Sequence, residues 1–339
     1  MTDPVLFGVL GAAGIARMAV IPAIRKSRNV RVAVVGTRNP SAASEWFLAE
    51  RGEKICDSYD AVLADPEVEA VYIPLPNSEH ARWAIAACKA GKAVLCEIPL
   101  ALTAAEAESV VRACEDAGVR MMEGFMYRFH PQHRRVREII ASGAIGDVVE
   151  VQVHLSVDLM TPADPGNVRF DPKLGGGALP DMGCYGVHIA RSVLGSEPQS
   201  VLARWSHDET FGVDVAAAGL LEFPGGRIAT VSCSFQGNGQ GYYRMIGRRG
   251  LIDIPRGIIP SLGGRIPEAI VIRVDENGAR SEETFAAVDQ YQLMIEAFAD
   301  AIRSGDSPLV QPRDSILNMR VLDAFADSAR SGMRVDVKA

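Results

Sequence analysis

A short apolar segment, a glycine-containing turn and a helical pattern constrain the N-terminal fold more than any other feature of the chain. Residues 5–10 read Val-Leu-Phe-Gly-Val-Leu, residues 11–16 read Gly-Ala-Ala-Gly-Ile-Ala, and a helical pattern continues to residue 24. This order is the context of a dinucleotide-binding turn, in which a pyrophosphate rests on the helix N-terminus. The turn residues predicted to hold it are Gly11, Ala13, Gly14, Ile15 and Ala16. The alternative is a tight turn without a ligand.

Apolar segments and helical patterns continue to alternate up to residue 123, with short connections between them. This alternation predicts a doubly wound parallel sheet, an α/β Rossmann domain over residues 1–124. Segments of alternating apolar and polar residues then follow near 147–156, 199–207, 213–223, 226–235, 241–247 and 269–274. They predict an α+β second domain over residues 125–339, with a largely antiparallel open sheet covered on one face by helices. Two helices, at 290–303 and 314–331, complete this domain.

The composition disfavours several classes of protein. The chain has 339 residues, of which 48% are apolar and 23% charged, and its net charge is −7 with acids and bases mixed. This balance disfavours a nucleic-acid partner. We see no signal-peptide pattern and no apolar run that spans a bilayer, so we expect a cytoplasmic protein without a membrane partner. Six cysteines without a CxxC pair are expected to be buried thiols.

The end of the second apolar segment bears on the choice of cofactor. Residues 30–35 read as a strand followed by Gly36-Thr37-Arg38, where an NAD-dependent enzyme usually carries Asp or Glu for the ribose hydroxyls. Here Thr37 offers a hydroxyl, and Arg38 offers a planar cation suited to a phosphate. We therefore predict that NADP(H) is favoured over NAD(H). The alternative is that Arg38 is a solvated loop residue. A helix is predicted next, over residues 41–51.

Two further strand ends carry residues that can bind a ligand. The carboxyl ends of neighbouring parallel strands form the ligand-binding edge of an open sheet, so the loops after the strands at 70–73 and 93–96 are expected there. The loop residues predicted to contact the cofactor are Leu75, Pro76, Asn77, His80, Glu97 and Pro99. Asn77 can cap the following helix, and His80 faces either the cofactor or the surface. Ile98 lies between the last two and has no acid–base chemistry.

A second group of polar residues lies on a helical pattern in the second domain. Residues 175–181 read Gly-Gly-Gly-Ala-Leu-Pro-Asp, and three glycines before a helix let the backbone approach another group closely. Asp181, Tyr185 and His188 have the spacing i, i+4, i+7, which predicts that they share one helical face. A carboxylate, a phenol and an imidazole on one face indicate an active site. The alternative is a helix capped by Asp181, with Tyr185 and His188 in ordinary hydrogen bonds between domains.

These residues carry a family resemblance that covers essentially the whole chain. The matching stretches are the turn at Gly11, residues 71–77, 97–99, 122–128 and 175–185, and the C-terminal helices. The chain resembles the glucose–fructose oxidoreductase / inositol dehydrogenase (Gfo/Idh/MocA) family, and within it the dihydrodiol dehydrogenases, NADP-dependent xylose dehydrogenases and nucleotide-sugar ketoreductases. The resemblance implies a Rossmann domain and a substrate domain that often forms dimers. It also implies hydride exchange between a nicotinamide and a carbinol or keto carbon of a sugar, cyclitol or related polyol.

The resemblance also implies roles for individual residues. The family's segment at residues 97–99 reads Glu-Lys-Pro, and its lysine holds the reacting oxygen and assists proton transfer. In this chain Ile98 replaces that lysine. We therefore expect Tyr185 or His188 to transfer the proton, with Asp181 orienting the pair. The residues expected to bind substrate hydroxyls or phosphate are Arg128, Arg169 and Tyr185.

Ile98 leaves several interpretations open. An enzyme with another acid–base group is favoured, because Asp181, Tyr185 and His188 are all present. The chain is otherwise a catalytically silent sensor that binds cofactor or sugar, or an enzyme disabled by an engineered Lys→Ile change at position 98. A purely structural dimerisation protein is the least favoured class, because the cofactor turn is intact.

The remaining expectations concern metals and partners. No metal is implied, because His130 and His133 lie on an arginine-rich segment without a nearby pair of carboxylates, and we expect both on a helix surface. An exposed face of the antiparallel sheet indicates a homodimer or homotetramer formed through the C-terminal sheet. The other expected partner is a small-molecule sugar or polyol substrate.

We expect Arg38→Ala to abolish a preference for NADP(H). Loss of a charge-assisted hydrogen bond to a phosphate costs about 1.5–3 kcal/mol, so the Kd for NADPH should rise roughly 10- to 100-fold. The Kd for NADH should change little, because NADH lacks that phosphate. Titration of each nucleotide into the parent chain and the variant measures both constants. Equal affinities for the two nucleotides, unchanged by the substitution, would contradict the prediction.

Overall fold

The computed structural model describes residues 3–47, 53–259 and 268–338. The chain divides into two compact units. The first comprises Met1–Met126 and Asp289–Ile316, and the second comprises Tyr127–Val288 and Leu317–Ala339. The sequence pattern predicts that every residue after 124 belongs to the second domain. In the structure, residues 289–316 instead belong to the first unit.

The first unit contains a parallel sheet of six strands. The strands are β1 (Val5–Leu10), β2 (Val30–Gly36), β3 (Lys54–Cys56), β4 (Ala70–Ile73), β5 (Ala93–Cys96) and β6 (Met121–Glu123). Their spatial order is β3-β2-β1-β4-β5-β6, the order of a dinucleotide-binding Rossmann sheet. Strands β1, β4 and β5 are almost completely buried, as expected for a sheet with helices on both faces. The predicted doubly wound fold is confirmed.

Nine α-helices lie within the described residues. They are α1 (Ile21–Lys26), α2 (Pro40–Trp46), α3 (Tyr59–Ala64), α4 (Asn77–Lys89), α5 (Ala104–Ala117), α6 (Pro131–Ala141), α7 (Cys184–Leu194), α8 (Gln290–Ser304) and α9 (Pro312–Ser331). Residues 48–51 of the helix predicted over 41–51 lie outside the described residues. None of the described helices is long and apolar enough to cross a bilayer.

Helix α8 is held in the first unit by polar contacts that the sequence pattern does not reveal. The Asn29 side chain donates to the carbonyl oxygen of Glu296 at 3.0 Å, and Arg303 forms an ion pair with Glu69 before strand β4. Phe298 packs edge-on against Phe7 of strand β1, with 6.3 Å between ring centroids. These partners are more than 200 residues apart in the chain, so local periodicity could not assign α8 to its unit.

Two cysteines correct the expectation that all six are thiols. Cys88 on α4 and Cys114 on α5 form a disulfide, with their Cα atoms 5.0 Å apart. The two helices pack side by side with both cysteines buried, and nothing in their spacing of 26 residues indicates the contact. Cys56, Cys96, Cys184 and Cys233 remain thiols. The predicted cytoplasmic location stays a prediction.

The second unit contains a mixed sheet of nine strands. The strands are β7 (Val148–Asp158), β8 (Ser200–Asp208), β9 (Val213–Phe223), β10 (Arg227–Ser234), β11 (Gln236–Gly247), β12 (Gly250–Ile254), β13 (Ala269–Asp275), β14 (Arg280–Phe285) and β15 (Val335–Asp336). Their order is β14-β13-β12-β11-β7-β10-β9-β8-β15. The described pairs are antiparallel except β7 with β10, which is parallel. The predicted, largely antiparallel second sheet is confirmed.

Helix α7 packs on one face of this sheet. Val151, Val153 and Leu155 of β7 are buried, whereas the intervening polar residues are partly exposed. Gly186 of α7 lies against β10 so closely that an added Cβ would be 2.5 Å from Cγ1 of Val231. A glycine is therefore needed where the helix meets the sheet.

We expect thiol titration to detect the disulfide between α4 and α5. In denaturant and without a reductant, four of the six cysteines should react with an alkylating reagent. After reduction all six should react, and mass spectrometry of the alkylated protein counts them. Reaction of all six cysteines before reduction would show that the pair is not bonded.

Candidate active site

The turn after β1 has the close backbone packing expected of a dinucleotide-binding turn. Gly11 has a φ of +116°, and an added Cβ would lie 2.9 Å from Cδ2 of Leu75 in the loop after β4. The Gly11 N–H donates to the carbonyl oxygen of Gly36 at 2.8 Å. Leu75 and the ends of β1 and β2 therefore meet at one edge of the sheet. A glycine is required at position 11, because an L side chain rarely adopts this φ.

The residues after Gly11 begin a helix whose first turns are irregular. Helical backbone starts at Gly14, passes through a π-helical turn at Ala16–Val20 and continues into α1. Ala16 is fully buried, as expected for the position that packs the helix on the sheet. The first N–H groups of a helix have no acceptor within it and can bind an anion. The turn therefore fits the pyrophosphate of a dinucleotide.

The residues predicted to select NADP(H) follow β2. Thr37 is buried, its N–H donates to the carbonyl oxygen of Cys56 at 2.9 Å, and its hydroxyl accepts from the Asn39 N–H at 3.2 Å. Its hydroxyl therefore helps to hold the loop. Arg38 is exposed and lies beside Tyr59. Burial raises the pKa of the Tyr59 phenol, and the charge of Arg38 partly offsets this shift. Arg38 thus presents a cation at the end of β2.

His80 joins the two loops at the carboxyl edge of the first sheet. Its Nδ1 lies 2.8 Å from the carbonyl oxygen of Pro99, and its Nε2 lies 2.7 Å from that of Leu75. The side chain is completely buried, which excludes the surface position left open by the sequence, and burial lowers its pKa. Asn77 is the first residue of α4, and the N-cap position belongs to Pro76 rather than to Asn77 as predicted.

The segment that contains Ile98 is fixed by carboxylates on either side. The Tyr72 hydroxyl donates to Oε1 of Glu97 at 2.6 Å, and burial with the Glu97 charge raises the pKa of Tyr72 well above its usual value. The Leu100 N–H donates to Oε1 of Glu123 at 2.8 Å. Ile98 itself is partly exposed, and its side chain can neither donate nor accept a proton. The hydrogen bond between Tyr72 and Glu97 is not predicted by the sequence pattern.

In the second unit, Tyr127 brings the predicted proton-transfer residues together. Its hydroxyl lies 2.5 Å from Nδ1 of His188, and its ring packs edge-on against Tyr185 with 6.1 Å between centroids. All three side chains are buried. Tyr127 belongs to a short 3-10 helix, Met126–Phe129, and is not among the site residues predicted from the sequence. The one sequence feature that could have indicated a role for Tyr127 is its place in the stretch 122–128, which carries the family resemblance.

Asp181 is displaced from the α-helical pattern that the sequence spacing assumed. A π-helical turn, Leu179–Gly183, precedes α7, so Asp181 and Tyr185 are not separated by a regular α-helical turn. Oδ1 of Asp181 accepts a hydrogen bond from Nε of Arg169 at 2.9 Å, which forms an ion pair. The structure thus pairs two predicted site residues, Asp181 and Arg169. Orientation of Tyr185 and His188 by Asp181 stays a prediction.

The glycines at 175–177 approach the protein's own chain closely. An added Cβ on Gly176 would lie 2.5 Å from the carbonyl oxygen of Arg169, and one on Gly177 would lie 2.2 Å from Oδ1 of Asp214. Oδ2 of Asp214 accepts from the Leu179 N–H at 2.7 Å, at the start of the π-helical turn. Burial raises the pKa of Asp214 to about 6, and the backbone donors only partly oppose this shift. The sequence pattern does not reveal this anchor, because Asp214 and Leu179 are 35 residues apart.

His130 and His133 are buried, so the expectation that they lie on a helix surface is wrong. Nδ1 of His133 lies 2.7 Å from the Tyr243 hydroxyl, and the two rings stack with 5.7 Å between centroids. Burial lowers the pKa of His130 to about 4. Among the residues that the structure describes, no three His, Cys, Asp or Glu side chains are grouped for metal binding.

The sheet order and the turn at Gly11 define the first unit as a dinucleotide-binding domain, and two family models identify the protein class. One, described as an oxidoreductase family with an NAD-binding Rossmann fold, matches residues 5–125. The other, described as the GFO/IDH/MocA C-terminal domain, matches residues 133–253. The chain belongs to the GFO/IDH/MocA family of oxidoreductases. The predicted family and the predicted oxidoreductase class are confirmed.

Relatives of the chain match it over nearly its whole length. It is 40% identical to D-xylose 1-dehydrogenase (NADP(+)) 2 of Haloferax volcanii, over 98% of this chain and 99% of the relative. It is 31% identical to the dTDP-3,4-didehydro-2,6-dideoxy-alpha-D-glucose 3-reductase of Saccharopolyspora spinosa, over 98% of this chain and 99% of that relative. The crystal structure of a 3-ketoreductase from Actinomadura kijaniata with NADP and TDP-benzene matches with a TM-score of 0.88 and 29% identity. The match covers 96% of this chain and 98% of the ketoreductase chain.

We expect Asp214 to make stability depend on pH between about 4 and 6. Its folded pKa of about 6 exceeds its unfolded value, so the native state binds more protons in this window and the free energy of unfolding falls as pH rises. Asp214→Asn keeps an acceptor for the Leu179 N–H without the buried charge. The variant should therefore gain up to about 3 kcal/mol relative to the parent chain between pH 4 and pH 7.

Urea unfolding of both proteins at several pH values measures this difference. Comparison with the parent chain cancels the contributions of other titrating groups. A stability difference that stays constant from pH 4 to pH 7 would show that the Asp214 carboxyl does not titrate in this range.

Proposed function

We propose that the protein is an NADP(H)-dependent oxidoreductase that exchanges hydride with a carbinol or keto carbon of a sugar, cyclitol or related polyol. The observation that carries the proposal is the buried contact between Tyr127 and His188, with Tyr185 packed against the same phenol. Relatives over the whole chain support the substrate class, since they are a xylose dehydrogenase and dTDP-sugar reductases. An aldose–aldose oxidoreductase from Caulobacter crescentus, 26% identical, shares the fold with a TM-score of 0.87.

The residues after β2 support NADP(H) as the cofactor. The chain has Thr37 and Arg38 where an acidic residue would otherwise bind the ribose hydroxyls, and the exposed Arg38 guanidinium suits a 2′-phosphate. The xylose dehydrogenase relative is named for NADP(+), and the 3-ketoreductase structure contains NADP. When bound, the nicotinamide supplies or accepts the hydride. Backbone groups from Gly11 to Ala16 would hold the pyrophosphate.

Proton transfer is assigned to Tyr185 and His188. Oxidation of an alcohol requires removal of its proton, and reduction of a ketone requires a proton, which Ile98 cannot handle. Since Nδ1 of His188 is bound to the Tyr127 hydroxyl, we assign proton exchange to its Nε2. Tyr185 is the second candidate donor, because its phenol packs beside the same group.

Arg169 is proposed to bind substrate hydroxyls. Its side chain is 44% exposed while it pairs with Asp181, and a guanidinium group carries five N–H donors in one plane, a geometry suited to polyol oxygens. The ion pair with Asp181 restrains the orientation of the guanidinium group. We assign Asp181 the role of positioning this arginine, in addition to its predicted effect on Tyr185 and His188.

We propose that the chain forms a homodimer or homotetramer through the open face of the second sheet. Leu202 on β8 is 45% exposed and Tyr242 on β11 is 38% exposed, and strand register places both side chains on this face. Large exposed apolar residues on a sheet face are typical of an interaction surface. Association would cover them.

A catalytically silent sensor is the second candidate function, and Ile98 is the observation that favours it. The first unit holds this segment through Glu97 and Pro99, yet the side chain between them has no titratable proton. A sensor would bind cofactor or sugar without hydride transfer. Measurements of ligand binding and of turnover distinguish the two candidates, because a sensor would bind cofactor or sugar and show no turnover.

We expect Tyr185→Phe and His188→Gln to lower kcat, and the double variant to lower it by about 10²–10⁴-fold, the usual contribution of a positioned acid–base group. The Kd for NADPH should change little, because these residues lie outside the dinucleotide-binding unit. Absorbance at the reduced nicotinamide band measures turnover with aldoses, cyclitols and keto sugars.

Tyr242→Phe is the matched control, because it removes a tyrosine hydroxyl from the same unit on the open sheet face. Its kcat should match that of the parent chain. A double Tyr185/His188 variant that turns over as fast as the parent chain would overturn the assignment of proton transfer.

A further inference from the structure

A cavity of about 170 Å³ lies within the second unit, between α6, α7 and β11. Its apolar walls come mainly from α6 and α7. The polar side chains that line it are Tyr127, Arg128, His133, Arg137, Ser192 and Tyr243. Pockets for drug-sized ligands usually span about 300–1,000 Å³, so this cavity suits a smaller molecule or a single functional group.

The charged side chains of the cavity are two arginines without a carboxylate between them. No acidic residue is among the described residues that line it. A guanidinium N–H of Arg128 donates to the Ser192 hydroxyl, whereas its Nε is buried without a hydrogen-bond partner. A buried donor without an acceptor costs about 1–3 kcal/mol, so a ligand that accepts this bond would be stabilised.

Arg137 differs from its neighbours on α6. Arg135 pairs with Glu283 through two hydrogen bonds of 2.6 and 2.7 Å, and Arg134 lies 3.8 Å from Glu138. Within the described part of the chain, Arg137 has no carboxylate at ion-pair distance. The one arginine of this helix that lines the cavity is thus the one whose charge is not balanced by a neighbour.

The electrostatics of the cavity favour an anion. Burial, followed by the charge of Arg128, lowers the pKa of Arg137, since like charges repel in a poorly solvated site. Burial, with the charges of His130 and the two arginines, lowers the pKa of His133 well below its usual range. His133 therefore stays neutral, and a bound anion would relieve the repulsion between the guanidinium groups.

We propose that this cavity binds a compact oxyanion, a phosphate or carboxylate group, held between Arg128 and Arg137. Planar guanidinium groups bind such oxygens in pairs of hydrogen bonds, and the Tyr243 and Ser192 hydroxyls supply further donors. The proposal does not depend on hydride chemistry. The cavity adjoins the candidate active site, because Tyr127 lines it and also contacts His188.

Calorimetric titration of the full chain with inorganic phosphate and, separately, with malonate tests the proposal at an ionic strength held constant with chloride. We expect saturable binding of at least one anion. Arg137→Gln should weaken it by about tenfold or more, as expected for loss of charge-assisted hydrogen bonds. Tighter binding of phosphate would identify a phosphoryl ligand, and tighter binding of malonate a carboxylate; equal binding would support a general oxyanion site.

Arg134→Gln is the matched control, because it removes an arginine of the same helix that does not line the cavity. Its anion affinity should equal that of the parent chain. Phosphate binding at the dinucleotide turn would be retained in Arg137→Gln. The difference in anion affinity between Arg137→Gln and Arg134→Gln therefore reports binding in the cavity. No saturable binding of either anion, or binding that Arg137→Gln leaves unchanged, would overturn the proposal. Thermal unfolding without anion checks that the variants fold.

Discussion

The contact between the Tyr127 hydroxyl and Nδ1 of His188 brings together the two candidate proton-transfer residues of the second unit. It joins the short helix Met126–Phe129 to α7, and the two contacting residues are 61 positions apart in the sequence. Both side chains are buried, so loss of either partner would leave a polar group with fewer hydrogen bonds and no bulk water to replace them. Because Tyr185 packs on the same phenol, this contact also fixes the position of the second candidate proton donor.

The segment around Ile98 shows a comparable arrangement in the first unit. Glu97 accepts from the Tyr72 hydroxyl, and the carbonyl oxygen of Pro99 lies at hydrogen-bond distance from His80. The residues on both sides of Ile98 are therefore held by contacts that do not involve its side chain, one partly buried at Glu97 and one buried at Pro99. A substitution at position 98 changes the chemistry of one partly exposed side chain while these contacts remain.

The fold was predictable because its signals are local. The parallel sheet is indicated by apolar runs, helical periods and the turn at Gly11. The strands of the second sheet are indicated by the alternation of apolar and polar residues. The features that the sequence missed depend on distant partners or on small changes of helix geometry. Asp214 anchors Leu179 from 35 residues away, and Cys88 meets Cys114 across two helices. The π-helical turn before α7 has more residues per turn than an α-helix. Asp181 and Tyr185, four residues apart, therefore do not share a face as they would in a regular α-helix.

We propose that hydride exchange proceeds in this chain although Ile98 stands where the family resemblance implies a lysine. The most direct test is the rate of NADP(H) turnover by the parent chain beside Ile98→Lys, across a panel of aldoses, cyclitols and keto sugars. We expect turnover by the parent chain, since proton transfer is assigned to Tyr185 and His188. Turnover by Ile98→Lys together with none by the parent chain would contradict it.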